Sequence, residues 1–245
     1  RAVVSDSRYK QIKPDLAFAI HIEPGRPFGY VSTRPGLINC ASLGLKVTLN
    51  GKTAHAADPS DGISPSLAVA EFIQKISEFN NGDELSNNFR LTTVTHVQIG
   101  EQSFGISPGD ASIFVTLRTS NDDSLSQLDK DVRELVSKIS TKFKLTFDFE
   151  IFDHFAASIN DKEAHDIAVD AMKALNINYG SIGVPMRASE DFGIFGKQSK
   201  AAMLCLGPGE DYAALHNPDY DFNDDLIPIG TGIFERITRD LLGTY

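Results

Sequence analysis

Two of the six histidines stand where a metal ion or a proton carrier could use them. His21 follows an apolar run at residues 16–20 and precedes Pro24-Gly25, which puts it at the carboxyl end of an expected buried strand. Ligands of open α/β sheets gather beyond such ends. A neutral imidazole there is a ready metal ligand or acid/base. His216 lies in a Gly- and Pro-rich loop, residues 207–218, just past a second apolar run at 201–206. Two histidines brought to one rim by different strands can share a metal site. Singly, each is served as well by a hydrogen bond to nearby backbone, and no H-x-x-x-H or HExxH spacing fixes the geometry. Ser189-Glu190-Asp191-Phe192 offers two adjacent carboxylates. Ser189 reads as a helix N-cap with the acids favouring the dipole, a reading compatible with lining a site. His55 is flanked by small residues within 51–59, which lets another surface approach. Arg118 is the outward residue of an edge-like strand. Its planar fork suits a carboxylate, although a surface cation is the simpler reading.

Other patterns fail on inspection. Asp219, Asp221 and Asn223 imitate an EF-hand start, but position six is Asp224 and position twelve is Gly230, where the loop needs Gly and Glu. Gly230-Thr231-Gly232 lacks the third glycine of a dinucleotide fingerprint, with Glu235 in its place. There is no G-x-S-x-G, and His96, His154 and His165 carry no motif, so they read as structural. Cys40 and Cys205 form no disulfide framework or zinc spacing and read as buried small hydrophobes. The formal charge is −10 from 23 basic and 33 acidic residues. That balance argues against nucleic acid or an anionic membrane as partner. With 41% hydrophobic residues and no membrane-length apolar stretch, the expectation is a globular, cytoplasmic protein in reducing conditions.

The elements that must position these side chains fall into three segments. Residues 1–42 read as strand and turn, with the run at 16–20 buried on both faces and a second extended piece at 28–33. Residues 43–155 read as β-α-β-β-α-β. Leu45, Val47 and Leu49 alternate with polar residues, and Val69, Phe72, Ile73 and Ile76 form a helical stripe. Strands follow at 90–99 and 111–119, then a helix striped by Leu128, Val132, Leu135, Val136, Ile139 and Phe143. A last strand alternates Leu145, Phe147, Phe149 and Ile151. That order is the split-βαβ signature of a ferredoxin-like α+β sandwich. Residues 156–245 return to α/β texture, with a helix near 161–175 capped by Asn160 or Asp161, a buried strand at 201–206 and a helix at 226–242. The architecture expected is an incomplete α/β domain, 1–42 with 156–245, interrupted by the inserted domain.

Four stretches together resemble the aminoacylase/carboxypeptidase family of metal-dependent amidohydrolases and metallopeptidases, nearest its hippurate-hydrolase and auxin-conjugate (IAA-amino acid) hydrolase branch. They are 19–25 with 29–36, 51–59, 189–192, and 215–218 with 221–224. The resemblance implies a zinc-peptidase-like α/β catalytic domain and an inserted βαββαβ domain serving as lid and homodimerisation surface. It implies His21 and His216 as ligands in a two-metal site, usually zinc, with manganese or cobalt as substitutes. It implies that His55 polarises the scissile carbonyl in the partner's site and that Arg118 holds the substrate carboxylate. Ser189, Glu190 and Asp191 would line the site. The substrate implied is an N-acyl-amino acid or dipeptide, cleaved at an amide beside a free carboxylate. The family's other metal ligands and its Glu general base precede the strand ending at His21, and only 20 residues precede it here. The expectation is therefore a chain lacking half the metal shell and inactive alone. A non-catalytic dimerising or ligand-binding module is the alternative. A further departure is Gly105, where the family commonly has an Asn that assists carbonyl binding.

Overall fold

The computed structural model describes residues 2–82 and 86–243. In chain order the elements are α1 (Ala2–Ser5), α2 (Tyr9–Ile12), β1 (Leu16–Ile22), β2 (Val31–Ser32), β3 (Gly36–Asn39), β4 (Ala41–Asn50), β5 (Ala54–His55), α3 (Ser66–Ile76), β6 (Arg90–Ile99), β7 (Ile106–Ser107) and β8 (Asp110–Thr119). There follow α4 (Asp122–Phe143), β9 (Thr146–Phe155), β10 (Ser158–Asn160), α5 (Lys162–Ala174), β11 (Tyr179–Gly180), β12 (Lys200–Leu206) and α6 (Ile227–Leu242). The chain divides into two compact units: Arg1–Cys40 with Ala156–Tyr245, and Ala41–Phe155.

The first unit is built on a four-stranded sheet ordered β1-β12-β2-β11. β1 and β12 run parallel in unbroken register from Leu16↔Lys200 to Ile22↔Leu206, with His21 opposite Cys205. Side chains alternate across the sheet. Phe18, Ile20, Ile22, Leu204 and Leu206 pack with Ala168, Met172, Ile233 and Ile237 of α5 and α6. On the opposite face, Met203 and Cys205 pack with Ile38, Val184 and Phe192. β12 is buried from Ala201 to Leu206, as a strand flanked on both sides must be. β1 corrects the expectation of a doubly buried strand: all seven residues are only half-buried. It is an edge strand with β12 as its one neighbour among the described residues, so every side chain keeps an open flank. The extended piece expected at 28–33 narrows to Val31–Ser32. Asp161, rather than Asn160, caps α5, its carboxylate accepting from the amides of Glu163 and Ala164. Asn160 is instead buried and bonds inward to Thr33, Arg34 and Met203.

The second unit is an antiparallel sheet ordered β6-β8-β4-β9, with α3 and α4 supplying its core. β4 and β8 pair over ten residues, and along both the odd positions are buried. Val47, Leu49 and Ile113 meet Phe72, Val136 and Ile139. α4 starts where Asn121 accepts from the Ser124 amide and ends at Lys144 in left-handed conformation. Two expectations need correction. The strand carrying Arg118 is not edge-like: β8 is interior, because β6 and β4 cover its two sides. Ile151 is exposed, breaking the alternation of β9. It stands just before a bulge in the β4–β9 pairing, where Asp153 takes φ +43°. Among the described residues no helix is long and apolar enough to cross a membrane.

Candidate active site

The site begins with His21, one residue from the end of β1. Its Nδ1 is buried and lies 3.5 Å from Glu23 Oε2 without forming a hydrogen bond. Its Nε2 lies 3.4 Å from Glu190 Oε1. The Glu23 carboxylate beside Nδ1 raises the His21 pKa above the ordinary imidazole value, with Glu190 adding to the rise and burial opposing it. Glu23 in turn lies 3.5 Å, through Oε1, from Nη1 of Arg26. Arg26 is only 5% exposed. It donates to Ser32 Oγ at 2.9 Å and to the Gly183 carbonyl at 3.0 Å. The order is therefore Arg26, Glu23, His21, Glu190, with a cation at one end and the imidazole between two carboxylates.

Glu190 arrives from the loop before a 3-10 helix, Asp191–Lys197. Ser189 is not its N-cap. Glu190 occupies the cap position and makes no side-chain capping bond, because its carboxylate is turned to His21. Gly193 allows this segment to seat: a Cβ there would lie 2.4 Å from the Ala156 carbonyl oxygen. The Cys40 amide donates to the Ala188 carbonyl at 3.0 Å, tying the approach to Glu190 to the end of β3. Ser189 is half-buried and Asp191 exposed.

The other expected residues are placed as follows. The loop bearing His216 leaves the carboxyl end of β12, the end at which His21 lies. His216 itself is exposed, with φ +68°. His55 is exposed on the two-stranded β5–β7 ribbon, where Ala54 pairs with Ser107 and His55 with Ile106. Its Nδ1 accepts from the Ala57 amide at 3.1 Å, so the neutral ring carries its proton on Nε2 as a solvent-facing donor. Arg118 is half-buried on β8, between Ser42 of β4 and Leu91 of β6.

Among the described residues no three His, Cys, Asp or Glu side chains form a group able to hold a metal. Two donors do suit one. His21 Nε2 and Glu190 Oε1 are 3.4 Å apart, about the separation of two ligand atoms each ~2.1 Å from one tetrahedral zinc. Sequence reasoning missed Glu23 and Arg26. The signal for Glu23 was its place two residues beyond His21, on the same strand face; Arg26, inside a Pro-Gly turn, gave none.

The family model described as peptidase family M20/M25/M40 matches residues 1–240. The chain belongs to that family. It is 23% identical over 238 residues to an N-acetyldiaminopimelate deacetylase of Exiguobacterium sibiricum, covering 97% of this chain and 64% of the relative. It is 24% identical over 227 residues to an IAA-amino acid hydrolase, ILR1-like 2, of Arabidopsis thaliana, covering 89% of this chain and 51% of the relative. A Bacillus subtilis structure described as a dinuclear metal binding peptidase from the M20 family superposes with a TM-score of 0.74 at 18% identity, over 94% of this chain and 58% of that one. The chain spans between half and two-thirds of the length of these proteins.

Proposed function

We propose that the protein is a metal-dependent amidohydrolase that cleaves an amide beside a free carboxylate in an N-acyl-amino acid or dipeptide. The observation that carries this reading is His21 at the carboxyl end of β1, its Nε2 turned to Glu190, in a chain of the M20/M25/M40 family. His21 and His216 are the ligands this chain contributes to a two-metal site, with zinc as the metal. Among the described residues no third side chain joins His21 and Glu190 in such a group. When bound, the metal lowers the pKa of water and polarises the scissile carbonyl.

The chain's own residues orient the substrate. Arg118 clamps the free carboxylate, as a planar guanidinium does well. His55 presents Nε2–H to the carbonyl oxygen as charge develops there, the role of an oxyanion donor. It does so across a homodimer, with the inserted ferredoxin-like unit acting as lid and dimerisation surface. Ser189, Glu190 and Asp191 line the site. We assign the protein to the cytoplasm, in keeping with two buried cysteines that form no disulfide.

The test is hydrolysis of a panel of N-acyl-amino acids and dipeptides by the full-length protein with zinc or manganese. Release of free amino acid that stops on chelation is expected. No hydrolysis across the panel would refute the reading. A second reading, a non-catalytic dimerising or ligand-binding module, is favoured for the chain alone by its lack of a three-donor group among the described residues. It is tested by metal content after dialysis: two tightly held zincs per chain would sink it.

A further inference from the structure

We infer that the buried side chains of Asn39 and Ser158 hold an internal water molecule between β3 and β10. Asn39 is fully buried and Ser158 is 2% exposed. The two residues stand opposite each other in the β3–β10 pairing. Residues so opposed bring their Cβ atoms to about 4.5–5.5 Å. Yet Asn39 Nδ2, Asn39 Oδ1 and Ser158 Oγ are all shielded from solvent and have no hydrogen-bond partner among the described residues. Two residues on, the buried amide of Asn160 is by contrast satisfied through Thr33, Arg34 and Met203. Buried polar groups of native proteins are paired, and those without a protein partner are paired with ordered water. Three left dry would cost a sizeable share of the net stability. The inference is independent of the reaction proposed above.

The balance of donors and acceptors selects water. Nδ2 needs an acceptor and Oδ1 needs a donor, while Oγ serves as either. A cation would suit the two oxygens but would meet the amide N–H groups head-on. An anion would suit the N–H and O–H groups but would face Oδ1. A neutral molecule that both donates and accepts satisfies all three, and a buried water makes about three hydrogen bonds. A direct bond from Ser158 Oγ to Oδ1 would still leave Nδ2 without an acceptor. The strand pairing is open at this step. Its register shifts between Ser158 and Ile159, whose partners are Asn39 and Leu37, and such a bulge interrupts the ladder. β3 is also the strand that holds the segment leading to Glu190. The Met186 amide donates to the Ile38 carbonyl at 2.7 Å, and the Cys40 amide donates to the Met186 and Ala188 carbonyls at 3.2 and 3.0 Å. The water therefore braces the strand pair from which that segment hangs.

The tests are a crystal structure that shows ordered water, and urea midpoints of variants at the two positions. A water is expected within about 3.2 Å of both Ser158 Oγ and an Asn39 side-chain atom. Ser158→Ala removes one partner of that water, so the urea midpoint should fall by about 0.3–0.5 M, one hydrogen bond over a typical slope. Asn39→Leu keeps the bulk of the side chain but strands the Ser158 hydroxyl, and should lower the midpoint further. Combining the two substitutions should recover part of the Asn39→Leu loss, because the last polar atom of the site is then gone. A site without water, with Asn39 and Ser158 bonded to each other, overturns the inference. So does a midpoint that rises or stays put on Ser158→Ala, since deleting an unpartnered buried hydroxyl relieves a cost. Should Asn39→Leu fail to fold, the wild-type crystal structure and the Ser158→Ala midpoint decide alone.

Discussion

Asn160 is the side chain whose loss should most damage the unit that carries His21. It is 4% exposed. Its Nδ2 donates to Thr33 Oγ1 at 3.1 Å and to the carbonyls of Arg34 and Met203, both at 3.0 Å. Its Oδ1 accepts from the Met203 amide at 2.7 Å. One amide thus joins the end of β10 to the middle of β12 and to the turn between β2 and β3. Asn160→Ala removes four bonds and strands the Met203 N–H in a dry interior. A buried hydrogen bond contributes about 1 kcal/mol net, and a stranded buried polar group costs about 1–3 kcal/mol. Three bonds at about 1 kcal/mol each and the stranded Met203 N–H at about 1–3 kcal/mol give an expected loss of about 4–6 kcal/mol, a large share of a typical total of about 5–15 kcal/mol. With a urea slope of about 2–3 kcal/mol/M, the midpoint should fall by about 1–3 M. Hydrogen-exchange mass spectrometry should localise the loss to β1, β12 and α5, leaving β4, β8 and α4 protected. Asn160→Asp is a stringent companion: it keeps the acceptor for Met203 but turns an oxygen toward two carbonyls, so it should rescue nothing. A midpoint change worth less than about 1 kcal/mol for Asn160→Ala would show that this amide does not hold β10 to β12.

Two further outcomes concern ionisable groups near the site. Burial pushes the Cys205 thiol up to about 12, and Cys40 is also buried. Neither thiol should react with Ellman's reagent at pH 8 until urea unfolds the chain; rapid native labelling would contradict the burial. Between the unfolded value and about 12, unfolded Cys205 ionises while the folded thiol stays protonated, so its contribution to stability falls as pH rises. For His21 the raised pKa, caused first by Glu23 and next by Glu190 against burial, has a definite sign in metal-free protein. The folded state favours the imidazolium, so its stabilisation is fully present below the unfolded value of about 6.5. It is lost as pH rises through the folded value. The urea midpoint difference between wild type and Glu190→Gln should therefore shrink as pH rises above the unfolded value. A difference that grows would reverse the assignment.

Local pattern determined much of this protein. The stripe Leu128, Val132, Val136 and Ile139 fixes the buried face of α4 because a helix repeats every 3.6 residues. Ile113, Val115 and Leu117 alternate along β8 because a strand repeats every two. The continuous run at 201–206 is a fully buried strand. What pattern could not state is who stands next to whom. The apolar run before His21 is an edge strand, and the strand bearing Arg118 is interior, because neighbours in a sheet come from distant sequence. Ser189-Glu190-Asp191 has the chemistry of a cap, yet Glu190 turns its carboxylate to a histidine 169 residues away in sequence. Arg26 is an ordinary turn residue until the Gly183 carbonyl and Ser32 close around it. Periodicity reports the faces of single elements, because burial acts on one segment at a time. Charge pairing and imidazole orientation depend on distances between segments, which only the folded chain sets.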